Sequence, residues 1–315
     1  MARGPFVSHY ALVGAVALVV VLLPLALPDN FYLRVAALVY INAIAVIGLN
    51  LLMGYAGQVS LGHAGFFGIG AYAVALGPAA LGLPVWLSLL AGAVLSGLLA
   101  FIVGRPILRL RGYYLAVATL GLGLLIWMFF NNQSELTGGP NGMQVPRLVL
   151  FGWRATGPAT WYWISGATLV LGTWIALNLI NSPTGRAFRA IHDSEIASRV
   201  LGIDIARYKS LVFVLSAVYA AIAGSYFSLF DGFVTADSSS FIRSIEFVVM
   251  AVLGGLGSIL GSIVGAAFLV VLPQALTVFH EYEEIVLGLI MIVFMIFLPG
   301  GVVPSLLSLA RWRTA

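Results

Sequence analysis

Three polar side chains fall within six positions of an otherwise apolar, glycine-rich stretch: Gln58, Ser60 and His63 in GYAGQVSLGHAGFFGIGAY, residues 54–72. An amide, a hydroxyl and an imidazole offer hydrogen bonds to a solute, and such groups at membrane depth face a bundle interior or water rather than lipid. They do not form a reaction centre. His9, His63, His192 and His280 are dispersed, no HExxH or GxSxG pattern occurs, and no carboxylate pair sits within an apolar run. There is no cysteine, so no thiol chemistry, disulfide or cysteine metal site arises. No catalytic or metal-ligating residue is assigned. Holding and passing a solute is the chemistry on offer, with Asn50, Gln58, Ser60 and His63 as candidate lining of its path.

The glycines around these residues pose a second question, because each one costs a helix interior roughly 1 kcal/mol relative to alanine. Ser60, Ala64 and Gly68 are spaced i, i+4, i+8, one ridge of small residues, and Gly257, Gly261 and Gly265 repeat the spacing. Such ridges let helices approach closely where lipid removes the hydrophobic drive. Alternatively, 54–62 and 254–258 are unwound breaks whose freed backbone lines a path. Both readings stay open for Gly57, Gly62, Gly254 and Gly255 as well.

The elements that must position these residues are membrane helices. The chain of 315 residues is 61% hydrophobic and 8% charged, with a mean hydropathy of +1.07, outside the range of soluble domains. Apolar runs near the length needed to span a bilayer occur at roughly 10–28, 35–53, 63–81, 84–104, 113–130, 161–180, 210–230 and 285–303. They are continuous rather than alternating, which favours helices over an outer-membrane barrel. A further stretch, 244–276, is broken by GGLGS and is expected to fold as a hairpin. The expectation is an all-α polytopic membrane protein with about eight full spans plus one broken hairpin, 8–10 helices, forming a single transmembrane domain over 1–315. The first span is expected to be uncleaved.

Counting arginine and lysine orients it. With both termini cytoplasmic, eleven of the fifteen basic residues lie inside, and Arg34, Arg147, Arg154 and Arg243 lie outside. Arg311 and Arg313 then lie inside and His280, Glu281, Glu283 and Glu284 outside. Tyr113, Tyr114, Trp127, Trp161, Tyr162, Trp163 and Trp312 fall near expected span ends, where aromatic side chains anchor helices at the interface. The long charged segment 181–210 starts with helix-start chemistry at Ser182 and Pro183 and is cut by Gly202. Its alternation of alanine, isoleucine and leucine with arginine and acidic residues predicts two short amphipathic helices across the cytoplasmic face.

Five stretches in order carry a family resemblance: GLNLLMGYAGQVSLGHAGFFGIGAY (48–72), RLRGYYLAVATLG (109–121), LTGGPNG (136–142), SPTGRAFRAIHDSEIASRVLGID (182–204) and VVMAVLGGLGSILGSIVGA (248–266). In these the sequence resembles the LivH/LivM family, the inner-membrane permease subunits of branched-chain amino acid ABC importers, and the LivM branch more than the other. The resemblance implies a heterodimer with a LivH-like sister permease, two cytoplasmic ATPase subunits, and a periplasmic binding protein that delivers leucine, isoleucine or valine. ATP would bind to the partner subunits and no cofactor to this chain. The resemblance also makes 182–204 a coupling region on an ATPase, involving Gly185, Arg186, Arg189, Glu195, Ala197 and Gly202. Its glutamate-to-glycine spacing is one residue longer than in the EAA loop of other ABC importers. The chain itself contains no GxxxxGK[ST] phosphate loop. Two other classes compete. A urea, amide or other amino-acid permease of the same family differs only in cargo. A gradient-driven transporter working alone would need carboxylates within its spans, and here the acidic residues map to loops and span ends.

Overall fold

The computed structural model describes residues 9–26, 29–110, 112–150 and 153–276, with short pieces at 288–289, 292–293, 296 and 300–305. About half of the expected span at 285–303 lies outside these residues. So do Arg111, His280, Glu281, Glu283, Glu284, Arg311, Trp312 and Arg313.

The continuous leucine, alanine and valine runs become helices, and proline, glycine and serine divide them. In chain order these are α1 (His9–Ala26), α2 (Asn30–Asn50), α3 (His63–Leu81), α4 (Val85–Ile107) and α5 (Tyr113–Asn132), then the single turn α6 (Ser134–Thr137) and α7 (Pro158–Asn181). Two short helices follow, α8 (Pro183–Asp193) and α9 (Glu195–Val200), then α10 (Ile205–Asp231), α11 (Phe241–Gly254) and α12 (Ile259–Leu276). A π-helical turn, Leu51–Tyr55, extends α2. Among the described residues six helices, of 19 to 27 residues, are long and apolar enough to cross a membrane: α2 with its π turn, α3, α4, α5, α7 and α10. Six of the eight expected full spans are thus present; α1 is a shorter apolar helix, and the last run is described only in pieces.

The hairpin at the GGLGS break is present. α11 and α12 pack antiparallel, with Gly261 against Gly254 and Gly265 against the Met250 carbonyl, so close that a Cβ on either glycine would overlap backbone. That is the seam chemistry anticipated for small residues. Two members of the expected ridges are not on helices at all. Ser60 lies in irregular chain before α3, and Gly257 sits in the turn before α12 with φ +77. Ala64 and Gly68 do lie on α3, and Gly68 faces Ser239 rather than another transmembrane helix.

α10 is the central post, packing on α2, α3 and α4, while α2 also carries α7 and α12. The faces of α4 and α5 away from this core expose Leu90, Val94, Leu98, Leu125 and Phe129. Two of the expected interface aromatics belong instead to the core. Trp161 and Tyr162 are buried, and the Tyr162 hydroxyl donates to the Val20 carbonyl at 2.7 Å and meets the Tyr40 hydroxyl at 3.1 Å. Burial there satisfies the phenol and ties α7 to α1 and α2. Between α6 and α7 run three short strands, β1 (Met143–Gln144), β2 (Val149–Leu150) and β3 (Trp153–Arg154), and β4 (Phe233–Val234) follows α10. β1 pairs with β4 in antiparallel register Met143 to Val234, and β2 pairs with β3.

Candidate functional site

The polar stretch that opened the sequence is a re-entrant connection. α2 and its π turn lead to Gly57, which has a φ of +66, and residues 58–62 run as irregular chain to the start of α3. That start lies deep in the bundle, because His63 meets Ser216, eleven residues into α10. Non-helical backbone at such depth persists only where protein satisfies it. Leu61 N–H donates to Thr119 Oγ1 at 3.1 Å, Ala64 N–H to Ser244 Oγ at 3.0 Å and Gln58 N–H to the Leu52 carbonyl at 3.1 Å. Gly62 and Gly123 touch backbone to backbone, which pins the loop on α5.

The side chains of this loop are another matter. Gln58, Ser60 and His63 are 2%, 1% and 0% exposed. Neither Gln58 amide atom, nor Ser60 Oγ, nor His63 Nδ1 has a hydrogen-bond partner among the described residues. His63 Nε2 lies 3.1 Å from the Ser216 carbonyl, which only accepts, so Nε2 carries the proton and Nδ1 presents its lone pair. Each unpaired buried group of this kind costs about 1–3 kcal/mol, and here three such residues lie within six positions.

Asn50 has a different job from its three companions. Its Nδ2 donates to the Ser258 carbonyl at 2.9 Å, the Ser262 hydroxyl at 2.7 Å and the Gly255 carbonyl at 3.2 Å. Its Oδ1 accepts from Gly257 N–H at 2.8 Å. The amide thus replaces the hydrogen bonds that the α11–α12 turn lacks. Gly54 and Gly257 also lie in direct backbone contact, with no room for a side chain on Gly54. The two glycine-rich breaks read separately from the sequence are therefore one junction, held by a residue just ahead of the first. Gly255 in turn packs against Gly301 and Pro304.

α8 lies beneath this junction. A Cβ on Gly57 would come within 2.4 Å of the His192 ring, and α8 also packs on the π turn. Ser182 caps α8 by accepting from Gly185 N–H at 3.3 Å, Ser194 caps α9 through Ala197 N–H at 3.2 Å, and Asp204 caps α10 through Arg207 N–H at 3.1 Å. Gly202, at φ +79, ends α9. Glu195 is joined to Lys209 of α10 by a salt bridge in which the lysine is nearly buried. Arg186 and Arg189 lie on α8. α9 presents three apolar side chains outward, Ile196, Val200 and Leu201, exposed by 73%, 84% and 76%.

Sequence reasoning missed one charged group. Arg243, expected in an outer loop, lies inside the bundle near the start of α11. Its Nη2 donates to Asn42 Oδ1 at 2.7 Å and its Nη1 to Glu246 Oε2 at 2.6 Å. Phe67, Phe227 and Phe247 surround the guanidinium at 5.4, 5.4 and 4.9 Å from their ring centres. The contact with Asn42, near the middle of the Asn30–Tyr55 span, is what places it there.

The comparisons with known proteins agree on one family. The model described as "Branched-chain amino acid transport system / permease component" matches residues 31–295. The high-affinity branched-chain amino acid transport system permease protein LivM of Salmonella typhimurium is 36% identical over 294 residues, covering 86% of this chain and 69% of the relative. LivM of Escherichia coli K12 shows the same identity and coverage. The E. coli K12 permease protein LivH is 27% identical over 284 residues, 82% of this chain and 90% of the relative. No solved structure matches.

Proposed function

This chain belongs to the family of permease components of branched-chain amino acid transport systems, and on that premise we propose how it works within an ATP-driven importer. The chain is a multi-pass membrane permease subunit of a branched-chain amino acid importer. It sits in the inner membrane beside a LivH-like sister permease. Two ATPase subunits bind the α8–α9 end, which the arginine count assigns to the cytoplasm, and a periplasmic binding protein docks on the opposite end. ATP is held and hydrolysed by the ATPase subunits.

One observation carries this reading: the helix pair α8–α9, with its exposed apolar face, touches the polar loop directly at Gly57 and His192. Displacement of α8 by an ATPase is passed to the loop carrying Gln58, Ser60 and His63 without an intermediate element. Alternating access needs partners that bind the two states of the permease with different affinity. Here the ATPases bias the α8 side and the loaded binding protein biases the other. Gly185, Arg186 and Arg189 on α8 and Glu195, Ala197 and Gly202 on and after α9 are the coupling residues. Gln58, Ser60 and His63 contact the solute as it passes.

The test is reconstitution of this chain with its sister permease and ATPases in liposomes, supplied with binding protein and labelled leucine. Uptake that needs ATP and binding protein, and that urea or simple amides do not compete, is the expected result. Uptake by this chain alone under an ion gradient, with no dependence on ATP, would refute it.

A further inference from the structure

A cleft of about 450 Å³ opens between the end of α10 and the start of α11, at the end of the bundle opposite α8 and α9. This is within the range of about 300–1,000 Å³ common for small-molecule sites. Arg243, Glu246 and Asp237 line it with charge, Ser238 with a hydroxyl, and Phe227 and Ile242 with apolar surface. The charged pair is unusual for its location. Arg243 bonds Asn42 in the middle of a span and sits among three phenylalanines, with its side chain 19% exposed. Ionisable groups inside membrane bundles are expensive and are retained along solute pathways. A guanidinium has five donors in a planar fork, and the contacts to Asn42 and Glu246 use two of them.

The surroundings point to one ligand chemistry. α11 begins within the bundle rather than at its surface: Ser239, just before it, packs on Gly68 of α3, and Ser244 bonds Ala64 N–H. Its N-terminal end, capped by Ser240, opens on the same cleft. A carboxylate there meets the guanidinium and the positive end of the helix together. Glu246 and Asp237 line the same cleft and suit an ammonium group. Phe227 and Ile242 suit an aliphatic side chain between them.

We infer that this cleft is the entry site of the permease for a zwitterionic aliphatic amino acid. Arg243 takes its α-carboxylate, Glu246 its α-ammonium, and Phe227 and Ile242 its side chain. The inference rests on the permease function proposed above and adds the residues that receive the cargo. The Arg243–Glu246 pair is the resting state, in which each charge compensates the other until the substrate replaces both contacts.

The absence of native cysteine provides a direct test. In the assembled complex without binding protein, Ile242→Cys, at an exposed position on the cleft, is labelled with a water-soluble thiol reagent. Leucine is expected to slow labelling several-fold, and leucinol, which lacks the carboxylate, to leave it unchanged. Adding Arg243→Gln should abolish protection and, in the native background, reduce uptake about ten- to a hundredfold. Arg243→Lys should recover part of the uptake. Co-elution of each variant with its partners establishes that it assembles. Equal protection by leucine and leucinol, or none by leucine in a complex whose wild type imports it, overturns the site. A wild-type complex that imports no branched-chain amino acid overturns the broader reading instead, and this one with it.

Discussion

Asn50 commits both ends of its amide to one turn, and so does work that its identity alone does not announce. Replacing it with alanine leaves Gly257 N–H and the Ser262 hydroxyl without their partner, at about 1–3 kcal/mol for each group. Asn50→Asp keeps an acceptor for Gly257 N–H but sets a carboxylate against the carbonyls of Gly255 and Ser258. Both variants are therefore expected to melt well below wild type in detergent, with Asn50→Asp giving no rescue. An Asn50→Asp protein as stable as wild type would remove the clamp from the account. At this scale the sequence marked Asn50, Gln58, Ser60 and His63 together, and the structure separates them. Asn50 is bonded across more than two hundred positions, whereas the other three keep unpaired atoms. Nothing local distinguishes an amide that will meet a distant turn from one that will not. Arg243 was hidden for the same reason: its partner Asn42 lies 201 residues away, and near the edge of an apolar run it counts like any loop arginine.

Among the elements, the contact of α8 with the re-entrant loop gives the sharpest expectation. Gly57→Ala meets a double difficulty, a left-handed backbone that costs an alanine roughly 1–2 kcal/mol and a methyl group against the His192 ring. His192 is exposed and able to move, so the effect should appear as a displaced α8 rather than a lost fold. Uptake is expected to fall several-fold with leucine affinity of the binding protein unchanged. Gly57→Ala with His192→Ala should recover much of it, and no recovery would mean that backbone strain alone is responsible. Glu195→Gln leaves Lys209, 5% exposed, without its counter-charge. Stimulated ATPase activity is expected to drop while the complex still assembles, as measured by phosphate release against co-elution.

The helices themselves were legible because a continuous apolar run of twenty residues has few other solutions in lipid. The α11–α12 hairpin was legible because GGLGS interrupts such a run midway, and the α8–α9 pair because its charge and alanine alternate at helical spacing. What the periodicity did not carry was where the polar segment 232–240 goes. Its serines and Asp237 describe an outer loop, yet it descends to Gly68 of α3 and starts α11 inside the bundle.

For the molecule as a whole, the two ends of the bundle differ in what they offer a partner. One end presents the apolar trio of α9, and the other a cleft bordered by charge and braced by the β1–β4 ribbon. Changing Ile196, Val200 and Leu201 together to serine is expected to leave the melting temperature of the permease within a few degrees, since these side chains bury nothing within the chain. The same change should abolish recovery of the ATPase subunits on an affinity column carrying the permease. Retention of the ATPases would move their docking surface elsewhere.

The clamp at Asn50 also constrains the protein's birth. Asn50 is synthesised more than two hundred residues before Gly255, Gly257, Ser258 and Ser262. Throughout that interval the Asn50 amide lacks the partners that hold it in the folded chain. In a permease truncated before Gly255 the amide would keep none of the four partners that satisfy it in the folded chain.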